Sequence, residues 1–499
     1  MMMQRTDDAF RVKRRRKTAA RNVFDKLPDD ILIAILSHMS LKDAVRASVL
    51  SHRWRNLWKF TSRALVFSDR DTPTGARMDI RKFQVLLARE LELNQSTGLD
   101  SLIIRFSNRC KYTTSDIIDD WIFLAMQKDL KNLELDFSVR PRFRYRYKFP
   151  DACEVVFEHA TETWLCGFST RARTLKELGV FASLRTVKLV DVSIKDEVVH
   201  HFLSCACIEQ LCIRGSRSTK NLRVVDPLPY LKQLEISNCR KIRSLVISAK
   251  NLVSCTYQGR RKISFPFKEN PNLTELTLDG PLCESFIYEP KNHSSYSFQL
   301  TDLVLKLQIS SFERTIAPTD SPRLYALTSL ELNIVSEVDR SLLFFLSLTK
   351  SSPHLHHLKI KIDYLVSFPP IFKRMIRNMM AFPEENLIEE NEFKLEKLKV
   401  VEIVGYCGSA SEEKLLLNLL KIAPSIETVF IYTDCDYYVR NYPEEDDLVI
   451  FTYRLRQDGL HRMKKNDRNK IRPLSRFAAI KHANKLRSSF TSETRFVIT

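Results

Sequence analysis

The sequence predicts an α/β chain in three parts: a three-helix module near the N-terminus, an irregular repeat solenoid with a parallel sheet on its concave face, and a C-terminal cap. Three observations carry this prediction. Residues 27–58, LPDDILIAILSHMSLKDAVRASVLSHRWRNLW, combine helix punctuation with more apolar surface than three short helices can bury. From residue 99 onward the pattern apolar-x-x-apolar-x-apolar recurs. After residue 431 the chain turns polar and then strongly basic. Its 499 residues exceed what one hydrophobic core usually serves, as a repeat array would.

In chain order, residues 1–21 read as a disordered basic leader. The run Lys13, Arg14, Arg15, Arg16, Lys17 is either a solvated charged segment or a nuclear-import signal. The helical module takes residues 22–60. Pro28 suits a first helical position, where no backbone donor is needed, and Asp29 and Asp30 complement the positive end of the helix. Ile31, Leu32, Ile35, Leu36 and Met39 recur at helical spacing. Ser40 with Asp43 predicts a capping box for a second helix over residues 41–49, and a third short helix carries Trp54, Leu57 and Trp58. Residues 31–36 are six consecutive apolar side chains, and one helix cannot turn all of them into so small a core. Another domain or a partner must cover the surplus.

This stretch resembles the F-box, the module that docks a substrate receptor onto the Skp adaptor of a cullin-type ubiquitin ligase. Leu27 and Pro28 match its opening Leu-Pro; Ile31, Ile35 and Leu36 match its helical apolar positions, and Ala47, Ser48 and Val49 its second helix. Ser51, Trp54, Leu57 and Trp58 match its closing S-x-x-W-x-x-L-W. Met39 and Ser40 stand where plant relatives commonly carry Leu-Pro; Met fills the same apolar volume and Ser supplies a cap. The resemblance implies that Leu27, Pro28, Ile31, Leu32, Ile35 and Leu36 contact the adaptor while Trp54 and Trp58 support the module.

The repeat is degenerate. It appears as Leu99/Leu102/Ile104, Leu130/Leu133/Leu135, Leu184/Val187/Leu189, Ile208/Leu211/Ile213, Leu231/Leu234/Ile236 and Leu273/Leu276/Leu278. It continues through Leu300, Leu327, Leu355, Leu398 and Ile426, each opening another triplet. Intervals of 23, 27, 27 and 28 residues (208→231, 273→300, 300→327, 327→355) fall within the leucine-rich-repeat range of about 20–29. The last two apolar residues of each unit alternate along a short strand and point inward. One coil cannot bury its face alone, so neighbours stack. Triplets opening at Ile242 and Leu252 follow after only ten or eleven residues and predict compact coils without long helices. Residues 198–205 and 344–352 read as returning helices, and Cys239 as a buried structural thiol. The gap at residues 364–394 reads as a surface excursion.

Residues 184–213 and 234–259 resemble the repeats of plant F-box proteins with leucine-rich repeats, and residues 398–431 resemble the FBD region found near their C-termini. The domain reading is therefore leucine-rich repeats over 61–394, FBD-like terminal repeats over 395–435 and a basic extension or cap over 436–499. In that extension residues 434–447 form a polar break. Leu474, Phe477, Ile480, Ala483 and Leu486 have loosely helical spacing, and residues 496–498 suggest a last strand. A cap over the open repeat end is favoured over a membrane-surface helix.

The formal charge is +19, of which residues 1–20 supply +5 and residues 454–499 supply +10, so the long middle is nearly balanced. This disfavours a nucleic-acid reading. Residues 140–149, RPRFRYRYKF, are its best local candidate, and an edge strand or surface loop the plainer account. Only ten glycines are present, with no phosphate-cradling loop. No apolar run reaches the ~18–20 residues that span a bilayer, and eleven scattered cysteines without paired spacing read as reduced thiols. His354, His356 and His357, and the pair Cys205 and Cys207, lack the companions a zinc site needs. No catalytic constellation, cofactor or metal is implied. The resemblance implies a non-enzymatic, intracellular receptor, nuclear or cytoplasmic, joining a Skp adaptor and through it a cullin to a target protein held by the repeats. The alternatives are a nucleic-acid-associated protein using its basic tails and an F-box receptor for a small-molecule hormone.

Overall fold

Each apolar triplet builds the same object: one buried anchor, then a short strand whose two inward side chains are buried. In a computed structural model of the chain, the described residues are 27–39, 47, 53–61, 64–68, 98–105, 118, 122, 125–126, 128–138, 183–263, 266–308, 322–336, 342–366, 393–433, 437–440, 450–453, 476–489 and 494–499. Residues 13–17, 140–149 and 367–392, with the expectations placed on them, lie outside this set. The chain divides into two compact units, residues 1–219 with 228–231, and residues 220–227 with 232–499.

The first unit opens with helix α1 (Asp29–Ser37), then α2 (Trp54–Leu57), which tightens into a 3-10 turn over Trp58–Phe60. Four strands follow, β1 (Ala64–Ser68), β2 (Ser101–Arg105), β3 (Asn132–Asp136) and β4 (Thr186–Val190). Helix α3 (Asp196–Leu203) then returns to β5 (Gln210–Arg214). All five strands pair parallel, each with the next, and the register never slips: Leu65, Leu102, Leu133, Val187 and Leu211 form one buried column. Strands in such a ladder lie about 4.8 Å apart, so each coil covers the apolar pair of the one before. The residue ahead of β4 and of β5 is held by the previous coil: Arg185 N–H donates to the Lys131 carbonyl and Glu209 N–H to that of Arg185. Helix α3 turns Val198, Val199, Phe202 and Leu203 inward and bears out the returning helix expected there.

The second unit holds β6 (Asn221–Val225), β7 (Gln233–Ser237), β8 (Ser244–Ser248), β9 (Ser254–Gln258) and β10 (Glu275–Asp279). Next come α4 (Pro281–Tyr288), α5 (Ser294–Ser297), β11 (Asp302–Gln308), β12 (Ser329–Ser336), α6 (Phe344–Ser347) and β13 (His357–Val366). The remainder is β14 (Val400–Val404), α7 (Ala410–Ile422), β15 (Thr428–Tyr432), β16 (Tyr437–Arg440), β17 (Ile450–Tyr453), α8 (Arg476–Leu486) and β18 (Arg495–Ile498). The main parallel ladder runs β7-β9-β10-β11-β12-β13-β14-β15-β18.

The crowded triplets have a specific cause. Strand β8 does not sit beside β7: it pairs with β6 in a separate parallel sheet, extended by a bridge from Ile247 to Phe267. The triplets opening at Leu231, Leu252 and Leu273 are thus successive rungs of the main ladder, 21 residues apart, and the one at Ile242 belongs to the other face. The coil opening at Leu231 carries two strands, β7 and β8, where those opening at Leu273 and Leu398 carry a strand and a helix. Compact coils were expected; the second sheet was not.

Two glycines permit close approach between coils. Gly405 (φ +86°) lies against the Ile362 carbonyl and Gly280 (φ +71°) against that of Gly259, positions where a Cβ would collide with backbone. Helix α7 starts with a reciprocal capping box. Ser409 Oγ accepts from Glu412 N–H, while the buried Glu412 carboxylate accepts from the N–H groups of Ser409 and Cys407. At the far end β18 adds the last rung to β15, with Phe496 buried. Helix α8 buries Ala479, Ala483 and Leu486, and Tyr406 Oη meets His482 Nδ1 at 2.8 Å. The polar break needs correction, because β16 lies within it, pairing with the end of β13 and with β17.

Leu305→Ala, which removes a fully buried rung side chain, should cost about 2–5 kcal/mol. Gly405→Ala should lower the urea midpoint as well, while Lys306→Ala, facing outward on the same strand, should leave it unchanged within error.

Candidate functional site

The helical module closes its core with few residues. Leu32, Leu36, Ala47, Trp54, Leu57 and Trp58 are buried together, with Leu27 and Ile33 partly buried against them. Pro28 sits just outside α1 and not at its first position: its backbone is extended, and its carbonyl accepts the Leu32 N–H at 3.2 Å. Arg53 Nε donates to Asp29 Oδ1 at 2.6 Å, fixing the start of α1 to the start of α2. Thr61, buried behind Trp58, donates to the Trp58 carbonyl and ends the module.

With the core complete, α1 divides its apolar run. Leu32 and Leu36, four apart, face inward at 0% exposure. Ile31, Ile35 and Met39, also at four-residue spacing, form a second stripe exposed at 45%, 36% and 36%. Of the residues expected at an adaptor contact, Leu32 and Leu36 belong to the module's buried core, and the exposed apolar face is Ile31, Ile35 and Met39 beside Pro28 and the half-buried Leu27. Trp54 and Trp58 are buried in the same core. Covering the stripe is worth about 1 kcal/mol for each half-exposed side chain.

The remaining candidates resolve as structure. His354 Nδ1 meets Lys397 Nζ at 2.7 Å, His356 Nδ1 donates to the His354 carbonyl, and His357 Nε2 lies 3.2 Å from Glu402. Among the described residues no group of His, Cys, Asp and Glu could hold a metal ion. Cys205 is buried and donates to the His201 carbonyl, and burial, with the neighbouring Cys207, pushes its thiol up to about 12. Cys239 is buried as expected, its thiol 3.5 Å from the Ser237 carbonyl. No helix among the described residues is long and apolar enough to cross a membrane.

One cluster escaped sequence reading. Ser285 Oγ lies 3.2 Å from His293 Nε2, and His293 Nδ1 lies 2.6 Å from Tyr296 Oη. Its members sit three to eleven residues apart in a stretch without a familiar spacing. The pairing has the outline of a base-activated hydroxyl, but His293 is 0% and Tyr296 2% exposed, so no substrate reaches the ring. Glu289 instead accepts from Ser285 Oγ and Asn292, making the cluster a polar clasp between α4 and α5.

The sequence pattern of the family described as "At1g61320/AtMIF1, LRR domain" matches residues 91–455, and that of the F-box domain matches residues 24–63. The chain belongs to the plant F-box/leucine-rich-repeat family. F-box/LRR-repeat protein At2g42730 of Arabidopsis thaliana is 24% identical over 83% of this chain and 91% of its own length. F-box/FBD/LRR-repeat protein At4g00160 of the same plant is 29% identical over 69% and 72%. Putative FBD-associated F-box protein At5g56690, also from Arabidopsis, is 28% identical over 38% of this chain and 46% of its own. In this F-box/leucine-rich-repeat chain the two matched regions cover the helical module and the coils from β2 to β17, leaving β1, α8 and β18 outside.

Burial lowers the His293 pKa to about 4, partly offset by the charge of Glu289 and a hydrogen bond. Because the folded value lies below the unfolded ~6.5, its contribution is complete above pH 6.5 and is lost as pH falls toward 4. The urea midpoint should therefore drop more steeply over that window in wild type than in His293→Gln. A parallel pH dependence in both would contradict the buried neutral imidazole.

Proposed function

We propose that this chain is the target-recognition subunit of a Skp–cullin–F-box ubiquitin ligase. The observation that carries the reading is the stripe Ile31–Ile35–Met39. It is an apolar face left over after the module's own core has closed, on a helix that matches the F-box. In this account the stripe, with Leu27 and Pro28, seats on a Skp-family adaptor and through it a cullin. Leu32, Leu36, Trp54 and Trp58 hold α1 in place from behind. The repeats display outward-facing side chains to a target protein, and residues 398–431 serve as the FBD-like terminal repeats. The chain supplies no chemistry: holding the target beside a recruited conjugating enzyme raises the effective concentration of its lysines. Residues 13–17 are the candidate import signal for a nuclear site of action.

In capture by purified Skp adaptor, Ile31→Asp/Ile35→Asp should weaken binding about 30-fold or more, the equivalent of losing about 2 kcal/mol of apolar contact. Both side chains are exposed, so the urea midpoint of the free protein should hold. Leu36→Asp should instead unfold the module. Equal capture of wild type and the double variant would refute adaptor docking through this face.

A further inference from the structure

On several neighbouring strands, outward-facing charges are paired with opposite sign. Glu134 on β3 lies 3.0 Å from Arg105 on β2 and 3.5 Å from Lys188 on β4, and Glu331 on β12 lies 3.1 Å from Lys359 on β13. The coils around the second sheet carry a one-signed excess. Residues 220–268 hold eleven Lys and Arg against two Asp and Glu, a net +9. The near balance of the long middle is therefore segregation, since the rest of it is net negative.

The cations are exposed and stacked. Lys220 precedes β6 and Arg243 precedes β8 as partners in adjacent coils, with Arg243 N–H donating to the Lys220 carbonyl at 2.7 Å. Arg240 and Arg261 occupy equivalent turn positions, each three residues past the registered pair Ser237 and Gln258. Arg223 projects from β6 itself and is exposed. Like charges one rung apart, about 4.8 Å in a parallel ladder, repel one another.

We propose that this outer face, β6 and β8 with their basic turns, binds an Asp/Glu-rich segment of the target protein. The proposal rests on the target-receptor reading and names the chemistry of what is received. Arginine forks pair bidentately with carboxylates. Between the cations the sheet offers an apolar patch, Val225 at 40% exposure with the half-exposed Val246 on the neighbouring strand. An acidic segment carrying an apolar side chain uses both features. On β6 and β8 themselves a polynucleotide would use only the charge, because neither strand carries an aromatic ring to stack on a base.

The test is fluorescence anisotropy of the full chain with a labelled Asp/Glu peptide of about 12 residues bearing one central leucine, against oligothymidylate of equal charge. Arg223→Ala/Arg243→Ala should weaken peptide binding about ten-fold or more, and Val225→Ser should weaken the peptide while leaving oligothymidylate unchanged. Lys464→Ala/Lys465→Ala, in the basic C-terminal extension, should leave the peptide affinity as in wild type. Unchanged peptide binding in the double arginine variant would overturn the proposal. So would tighter binding of oligothymidylate than of peptide through the same two arginines. Adaptor capture by that variant should match wild type, so a failure of the ligase reading shows separately, as loss of capture with peptide binding intact.

Discussion

Everything in the two ladders depends on unslipped parallel register. A strand of five residues buries two side chains, and they are dry only because the next coil places its own pair directly over them. Leu276, Leu303, Leu330, Leu358, Val401 and Val429 form one such column, each the registered partner of the next. A side-chain period of two means that a one-residue slip would turn the whole column to solvent. The same constraint explains the positive-φ glycines, which let a loop pass close to its neighbour's carbonyls. It also explains the closing elements, because the last rung has no successor. Helix α8, β18 and the Tyr406–His482 contact occupy that position.

Much of this was legible in the sequence because the core writes itself as a triplet. Every triplet named from residue 99 to residue 431 is buried, including the degenerate one at Leu252/Cys255/Tyr257. The second sheet was not legible, for two reasons. The triplet position ahead of its first strand is Thr219, a buried hydroxyl that donates to the Ile194 carbonyl, so an apolar search passes over it. Sequence order also cannot say whether two triplets ten residues apart are neighbouring rungs or opposite faces of one coil.

The exposed apolar stripe of α1 shows the same boundary between legible and not. Six consecutive apolar residues announce surplus apolar surface, yet carry no phase. Only the positions of Trp54, Leu57 and Trp58 decide that Leu32 and Leu36 turn inward and that Ile31 and Ile35 remain. The basic face was hidden by a different average, since counting charge over the whole middle of the chain cancels a +9 segment against acidic coils elsewhere. Together these place two kinds of surface on one chain, an apolar stripe on a complete helical core and a like-charged face on stacked coils. Neither is explained by the stability of its own unit.

Strands β7 and β9, 21 residues apart, are neighbours, while β8 between them lies in another sheet. Cross-linking with a short bifunctional thiol reagent tests it directly. Glu235→Cys with Thr256→Cys, registered partners facing outward on β7 and β9, should link efficiently, and Val246→Cys with Thr256→Cys should not. Efficient linking of the second pair and failure of the first would mean that successive strands lie side by side, and the two-sheet architecture would be wrong.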